Sequence, residues 1–116
     1  MKYDYIIVGA GSAGCVIANR LSEDPSTQVL LIEAGGSDRR FFIQMPIGYG
    51  VTYHQKAVNW MYMTEPSPDA DNKPSYWPRG KVMGGSSSIN AMVYVRGNSR
   101  DFDQWSEAGN PGWSYS

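Results

Sequence analysis

Three features predict an α/β fold. A short strand over residues 3–8 carries the continuous apolar run Ile6-Ile7-Val8, a glycine-rich turn reading GAGSAG follows at once, and a second apolar run, Val29-Leu30-Leu31-Ile32, closes on Glu33. Continuous apolar runs of this length fit strands buried on both faces of a parallel sheet. Between the runs, Ala13, Val16, Ile17 and Leu21 fall at helical spacing. Polarity returns with Arg20, Ser22, Glu23 and Asp24, and Pro25 stops the helix. Strand, turn, helix and strand within 33 residues make a βαβ unit with a right-handed crossover, the opening of a Rossmann-like domain.

The turn has a mechanical logic. Gly9, Gly11 and Gly14 make the pattern G-x-G-x-x-G. One glycine permits the tight turn, one lets backbone approach a pyrophosphate, and one lets helix and strand pack closely. The helix behind the turn offers unpaired N–H groups and the positive end of its dipole to phosphate. Glu33 stands nineteen residues past Gly14, at the end of the second strand. A carboxylate there can hold both hydroxyls of an adenosine ribose. The pattern alone does not separate NAD from FAD, because both present an ADP half to the same turn.

From residue 36 to 79 the character changes to scattered aromatics and prolines, with one credible strand at 60–64. A stretch this long without regular structure usually covers or binds something. It leads into GKVMGGSSSIN, residues 80–90, which runs without a spacer into an apolar segment expected to be a strand at 91–95. By composition the tract is either a solvated linker or bare backbone laid along a ligand. Gly84 and Gly85 leave room for a flat ring system or phosphates, Ser86, Ser87 and Ser88 offer hydroxyls that can cap a helix, and Asn90 both donates and accepts. Residues 99–108 predict a short helix, with Ser99 as N-cap and Phe102, Trp105 and Ala108 at spacings of three.

The bulk composition excludes several classes. Ten basic and eleven acidic residues are interspersed, so there is no basic stripe for nucleic acid. A single cysteine, Cys15, and a single histidine, His54, leave no disulfide framework and no metal site. The run at 6–8 is too short, and Asp4 too close, for a signal peptide. No stretch reaches the length of a membrane span, so a cytoplasmic location is expected. Thirteen glycines, seven prolines and fifteen aromatic residues in 116 are a poor basis for an autonomous core, and the chain reads as the opening of something longer.

Taken together, DYIIVGAGSAGCVIANRLSEDP, VLLIEAGG and WPRGKVMGGSSSINAMVYVRG resemble the glucose–methanol–choline family of FAD-dependent oxidoreductases, nearest its choline and aliphatic-alcohol dehydrogenase branch. The resemblance covers essentially the whole chain, and the second tract is its most specific part. It implies an incomplete fold: the N-terminal part of a Rossmann-like FAD-binding domain, divided into a βαβ unit (1–35), a loop-rich excursion (36–79), a second FAD-binding segment (80–97) and the start of a further region (98–116). It also implies that Gly9, Gly11, Ser12, Ala13 and Gly14 cradle the pyrophosphate, with Glu33 and Ala34 at the adenosine ribose. Val82 would meet the adenine end through its backbone, and Gly84, Gly85, Asn90, Ala91, Met92 and Val93 would follow the phosphates, ribityl chain and flavin. Some members tether the flavin through a histidine just before the asparagine of this tract; here that position is Ile89, so FAD is expected to bind non-covalently.

The reaction so implied is oxidation of a small-molecule alcohol to a carbonyl, with hydride passing to FAD and then on to an electron acceptor. The family's catalytic histidine lies near its C-terminus, so no catalytic residue is expected in this chain, and peripheral membrane association of a whole enzyme stays open. His54 is expected in a loop or lid, and Cys15 as a small packing residue where helix meets strand. Arg79, Lys81, Arg96 and Arg100 could meet phosphates or a partner domain, while any one alone is more often a solvated charge. Trp60, Trp77, Trp105 and Trp113 are expected to pack against the remainder of a complete enzyme. Two other readings stand beside this one: a non-catalytic nucleotide-binding module or truncated product, and an NAD-dependent enzyme, which the second glycine tract disfavours.

Overall fold

In the computed structural model, which describes residues 2–116, strands β1 (Tyr5–Val8) and β2 (Val29–Ile32) run parallel, with Tyr5 opposite Val29 and Val8 opposite Ile32. Helix α1 (Ser12–Leu21) makes the crossover. The Gly9 N–H donates to the Ile32 carbonyl at 2.7 Å, extending the ladder one step into the glycine turn. At the opposite end Asp4 Oδ2 accepts from the Gln28 N–H at 2.9 Å and fixes the register. The predicted βαβ unit is therefore present, with α1 ending at Leu21, four residues before Pro25.

Burial of the strands differs from expectation. Ile7 faces α1, but Ile6 and Val8 on the other side are 61% and 83% exposed. A two-stranded sheet with one helix covers one face only, and the apolar runs are otherwise open.

The excursion is more ordered than its composition suggests. It holds two one-turn helices, α2 (Phe41–Gln44) and α3 (Tyr49–Thr52), joined by a 3₁₀ turn at Pro46–Gly48. Gly48 lies against the Phe42 carbonyl, where a Cβ would come within 2.0 Å of the oxygen. Beyond them β3 (Tyr62–Met63) pairs antiparallel with β4 (Tyr76–Trp77). The strand expected over 60–64 is thus the first arm of a two-residue hairpin whose second arm was not foreseen.

The small core sits between this excursion and the second tract, not in the βαβ unit: Val58, Val82 and Ile89 are buried together, with Ile43 packed on them. The tract is tied to its surroundings by a parallel bridge between Gly36 and Val82 and an antiparallel one between Asn59 and Gly80. Residues 85–88 form a 3₁₀ turn. The strand expected at 91–95 is absent. Among the described residues no segment pairs with it, and Val93, Tyr94 and Val95 are exposed, since a β ladder needs a neighbour to take its N–H and C=O groups.

Helix α4 (Ser99–Glu107) is where the spacing predicts it, but its N-cap is Asn98, whose Oδ1 accepts from the Arg100 N–H at 3.0 Å. Trp105 and Trp113 pack on each other, and Phe102 packs on Trp105 and Tyr115. Among the described residues no helix is long and apolar enough to cross a membrane. With Ala10, Val58, Val82 and Ile89 the only buried apolar side chains described, the 116-residue chain on its own is expected to bind an apolar dye and to melt without a cooperative transition. A cooperative, high-temperature calorimetric melt would contradict this.

Candidate functional site

Each glycine of the turn does a different thing. Gly9 adopts φ +98°, a left-handed conformation that other residues rarely take, and turns the chain off β1. Gly11 is the N-cap of α1, and a Cβ built on it meets nothing within 4 Å, so its face is open. Gly14 is the close-packing position, where a Cβ would lie 1.9 Å from the Gly9 carbonyl oxygen. Ser12 and Ala13 follow in the exposed first turn of α1, which has no side-chain cap and no acidic residue. The N–H groups and positive dipole end of that turn face the open side of the loop.

Glu33 is the hub of the turn. Its Oε2 accepts from the Ala10 N–H and its Oε1 from the Gly35 N–H, both at 2.8 Å. The carboxylate thus ties the glycine loop to the end of β2, a role the sequence did not reveal. Each oxygen keeps acceptor capacity for a hydroxyl, since an ionised carboxylate offers about four lone-pair sites.

The second tract lies directly on the first. Gly84 donates its N–H to the Ala10 carbonyl at 2.8 Å, and a Cβ on Gly85 would come within 2.9 Å of Gly11 Cα. Gly84 and Gly85 both have positive φ, +86° and +59°. The serine hydroxyls cap no helix; they brace the tract itself. Ser87 donates to the Gly84 carbonyl at 2.6 Å, Ser88 to the Met83 carbonyl at 2.7 Å, and Ser86 Oγ accepts from the Gly80 N–H at 3.0 Å. Gly35 completes the approach, because a Cβ there would meet the Lys81 carbonyl at 2.0 Å.

These elements enclose a cleft of about 450 Å³, walled on one side by Val8, Gly9, Gly11, Glu33 and Ala34 and on another by Gly80, Gly85 and Ser86. Trp60, Tyr62 and Arg79 close it. The Trp60 and Tyr62 rings stack at 5.9 Å and 4°, with Lys81 Nζ 4.6 Å from the Trp60 centroid, and the Arg79 guanidinium lies 4.8 Å from the Trp77 ring. Trp60 and Arg79 are both exposed at this rim, and the place of Trp60 on the cleft wall was not read from the sequence. The signal available was the i, i+2 spacing of Trp60 and Tyr62 at the edge of the predicted strand.

Other candidates fall outside this cleft. Val82 is fully buried behind it. Asn90 and Met92 border a separate cavity of about 200 Å³ between the tract and α2–α3, reached also by Phe42 and Tyr49. Asn90 Oδ1 accepts from the Met92 N–H at 2.9 Å. Ala91 is half-buried and Val93 exposed. His54 is exposed and stacks on Tyr76 at 6.0 Å, in keeping with a loop role. Cys15 is exposed and not packed between helix and strand; its Sγ donates to the Ala10 carbonyl, and Gly14 takes the close-approach position instead. The Ser26 hydroxyl and amide hold the Asp24 carboxyl below its usual range, but that pair lies in the turn between α1 and β2.

Residues 3–116 match the family model described as GMC oxidoreductase. The chain belongs to the GMC oxidoreductase family. Curated relatives of this family member include an oxygen-dependent choline dehydrogenase from Vibrio vulnificus (strain YJ016), 57% identical over 113 residues, and an alcohol dehydrogenase [acceptor] from Pseudomonas putida, 53% identical over 113 residues. Each match covers 97% of this chain and 20% of the relative, so the chain spans about a fifth of their length. Among solved structures, pyridoxine 4-oxidase from Mesorbium loti superimposes with a TM-score of 0.77 at 40% identity, over 98% of this chain and 22% of that one.

The geometry separates two glycines that look alike in sequence. Gly14→Ala is expected to cost about 3 kcal/mol or more, because its Cβ has only backbone to displace. Gly11→Ala should change stability by no more than about 1 kcal/mol, the N-cap preference and the loss of unfolded-state freedom opposing each other, while intruding on the cleft. Denaturant melts of the whole protein paired with cofactor titration check both.

Proposed function

We propose that this chain is the FAD-binding N-terminal portion of an enzyme that oxidises the CH–OH group of an alcohol to a carbonyl. The observation that carries the reading is the contact of the two glycine tracts around one cleft with Glu33 on its wall. GMC oxidoreductases are FAD-dependent flavoproteins. The residues present fit such a group. Gly9 and Gly11 leave a cradle that any side chain would fill, and the cleft volume is in the range of small-molecule sites.

In this reading the chain's own groups do the binding. The N–H groups at the start of α1, around Ser12 and Ala13, meet the pyrophosphate with the helix dipole behind them. Glu33, held by Ala10 and Gly35, accepts the ribose hydroxyls. Trp60 and Tyr62 offer a stacked aromatic wall to the adenine end. Gly84 and Gly85 let bare backbone approach, and Asn90, Ala91, Met92 and Val93 continue toward the flavin. When bound, FAD supplies the hydride acceptor; the base that takes the hydroxyl proton belongs to further sequence.

Ile89 supports non-covalent binding, since it is an apolar side chain buried against Val58 and Val82 and has no nucleophile to offer. The substrate class is a small alcohol, consistent with relatives named as choline and alcohol dehydrogenases, and an electron acceptor completes the cycle. We place the whole enzyme in the cytoplasm.

Reconstitution of the whole protein with FAD tests the reading. Flavin absorbance should remain with the protein through gel filtration, and acid precipitation should release it into the supernatant. Protein that stays colourless would refute the cofactor, and flavin that stays with the pellet would refute non-covalent binding. Glu33→Gln puts an NH₂ against a backbone N–H in place of an acceptor, so FAD should bind at least about tenfold more weakly in a fluorescence titration.

A further inference from the structure

Asn59 lies outside the cleft and is fully buried. Its side chain is used at every valence. Nδ2 donates to the Tyr53 carbonyl at 2.8 Å and to the Tyr76 hydroxyl at 3.0 Å, while Oδ1 accepts from the Met61 and Arg79 N–H groups, each at 2.9 Å. The Tyr76 hydroxyl donates in turn to the same Tyr53 carbonyl. Only this orientation of the amide satisfies all partners, because two are N–H donors and one is a carbonyl.

What the amide holds is the aromatic wall. Met61, the residue between Trp60 and Tyr62 in the chain, has φ +56°, a left-handed conformation that a methionine takes only when something fixes it. Its N–H is one of the two that Oδ1 binds, and the other belongs to Arg79, which also closes the cleft. The Trp60 N–H donates to the Arg79 carbonyl at 2.9 Å, so the two cleft residues are joined through backbone that Asn59 sets.

We infer that Asn59 is a positioning residue for the cofactor cleft, fixing the Trp60–Tyr62 stack and the Arg79 backbone against the glycine tracts through its Oδ1. The inference rests on the reading of the cleft as the FAD site for its consequence, though not for its geometry.

The test uses the whole protein with Asn59→Ala, Asn59→Asp and, as a core control, Val58→Ala. Asn59→Ala should weaken FAD binding at least about tenfold, or about 1.4 kcal/mol, in a flavin-fluorescence titration. In the apoprotein it should speed amide hydrogen exchange at Met61 and Arg79 while leaving β1 and β2 unchanged. Asn59→Asp keeps the acceptor oxygens and loses both donors. It should melt lower than wild type yet bind FAD within about threefold of it, since the bonds to Met61 and Arg79 survive. Val58→Ala should lower the melting temperature without a comparable loss of FAD.

Wild-type FAD affinity in Asn59→Ala, or affinity in Asn59→Asp as poor as in a folded Asn59→Ala, would overturn the inference. So would a loss in Val58→Ala that matches Asn59→Ala for equal destabilisation. If Asn59→Ala does not fold, Asn59→Asp against Val58→Ala decides the question. If wild-type protein takes up no FAD, the site reading falls, and the exchange rates at Met61 and Arg79 in Asn59→Asp judge Asn59 alone.

Discussion

The close approach of two glycine tracts is the constraint on which the rest of the structure depends. Gly85 sits on Gly11, Gly84 donates to the Ala10 carbonyl, and Gly35 lets the Lys81 carbonyl come against the end of β2. Contacts this short leave no room for side chains, so the joint is made of backbone hydrogen bonds and van der Waals contact between main-chain atoms. That explains why the buried cluster of Val58, Val82 and Ile89 lies beside the joint, while the buried apolar side chain within it is the small Ala10. It also explains the serines at 86–88. A tract with two successive positive-φ glycines is costly to order, and hydroxyls bonded to carbonyls within the tract offset part of that cost.

Glu33 connects this joint to the sheet. A carboxylate bonded to two backbone N–H groups orders both the glycine loop and the EAGG turn, which are the two surfaces the second tract lies against. Under the proposed reading, structural and binding roles meet in one side chain. An acceptor fixed by two donors is also preorganised, since it loses little further freedom when a hydroxyl arrives.

The βαβ unit was legible in the sequence because its signals are local: apolar runs, glycine spacing and helical periodicity each span a few residues. The association of GGSSSIN with GAGSAG was legible only through family resemblance, since spacing left linker and ligand loop equally open. The helices at 41–44 and 49–52 are a single turn each and too short to show a period. The strand at 91–95 failed for the opposite reason: its β propensity is real, but propensity describes a surface that fits a neighbour, and none of the described residues provides one. Asn59 and Trp60 were missed because their roles come from contacts with residues about 20 positions away, at Tyr76 and Arg79, which no local pattern marks.

The ionisable groups on the cleft wall are each held in place by a neighbour. They are Glu33, Tyr62 and Arg79. Both oxygens of Glu33 already accept backbone N–H bonds, so the carboxylate is an anchored acceptor. Arg79 offers donors only and lays its guanidinium on the Trp77 ring, while Tyr62 stacks on Trp60. The one histidine stacks on Tyr76 away from the cleft. A wall of backbone N–H groups, one fixed acceptor and two flat rings suits a cofactor's nucleotide half, which must be held and never reacts. In the proposed reading these residues therefore hold and orient the cofactor.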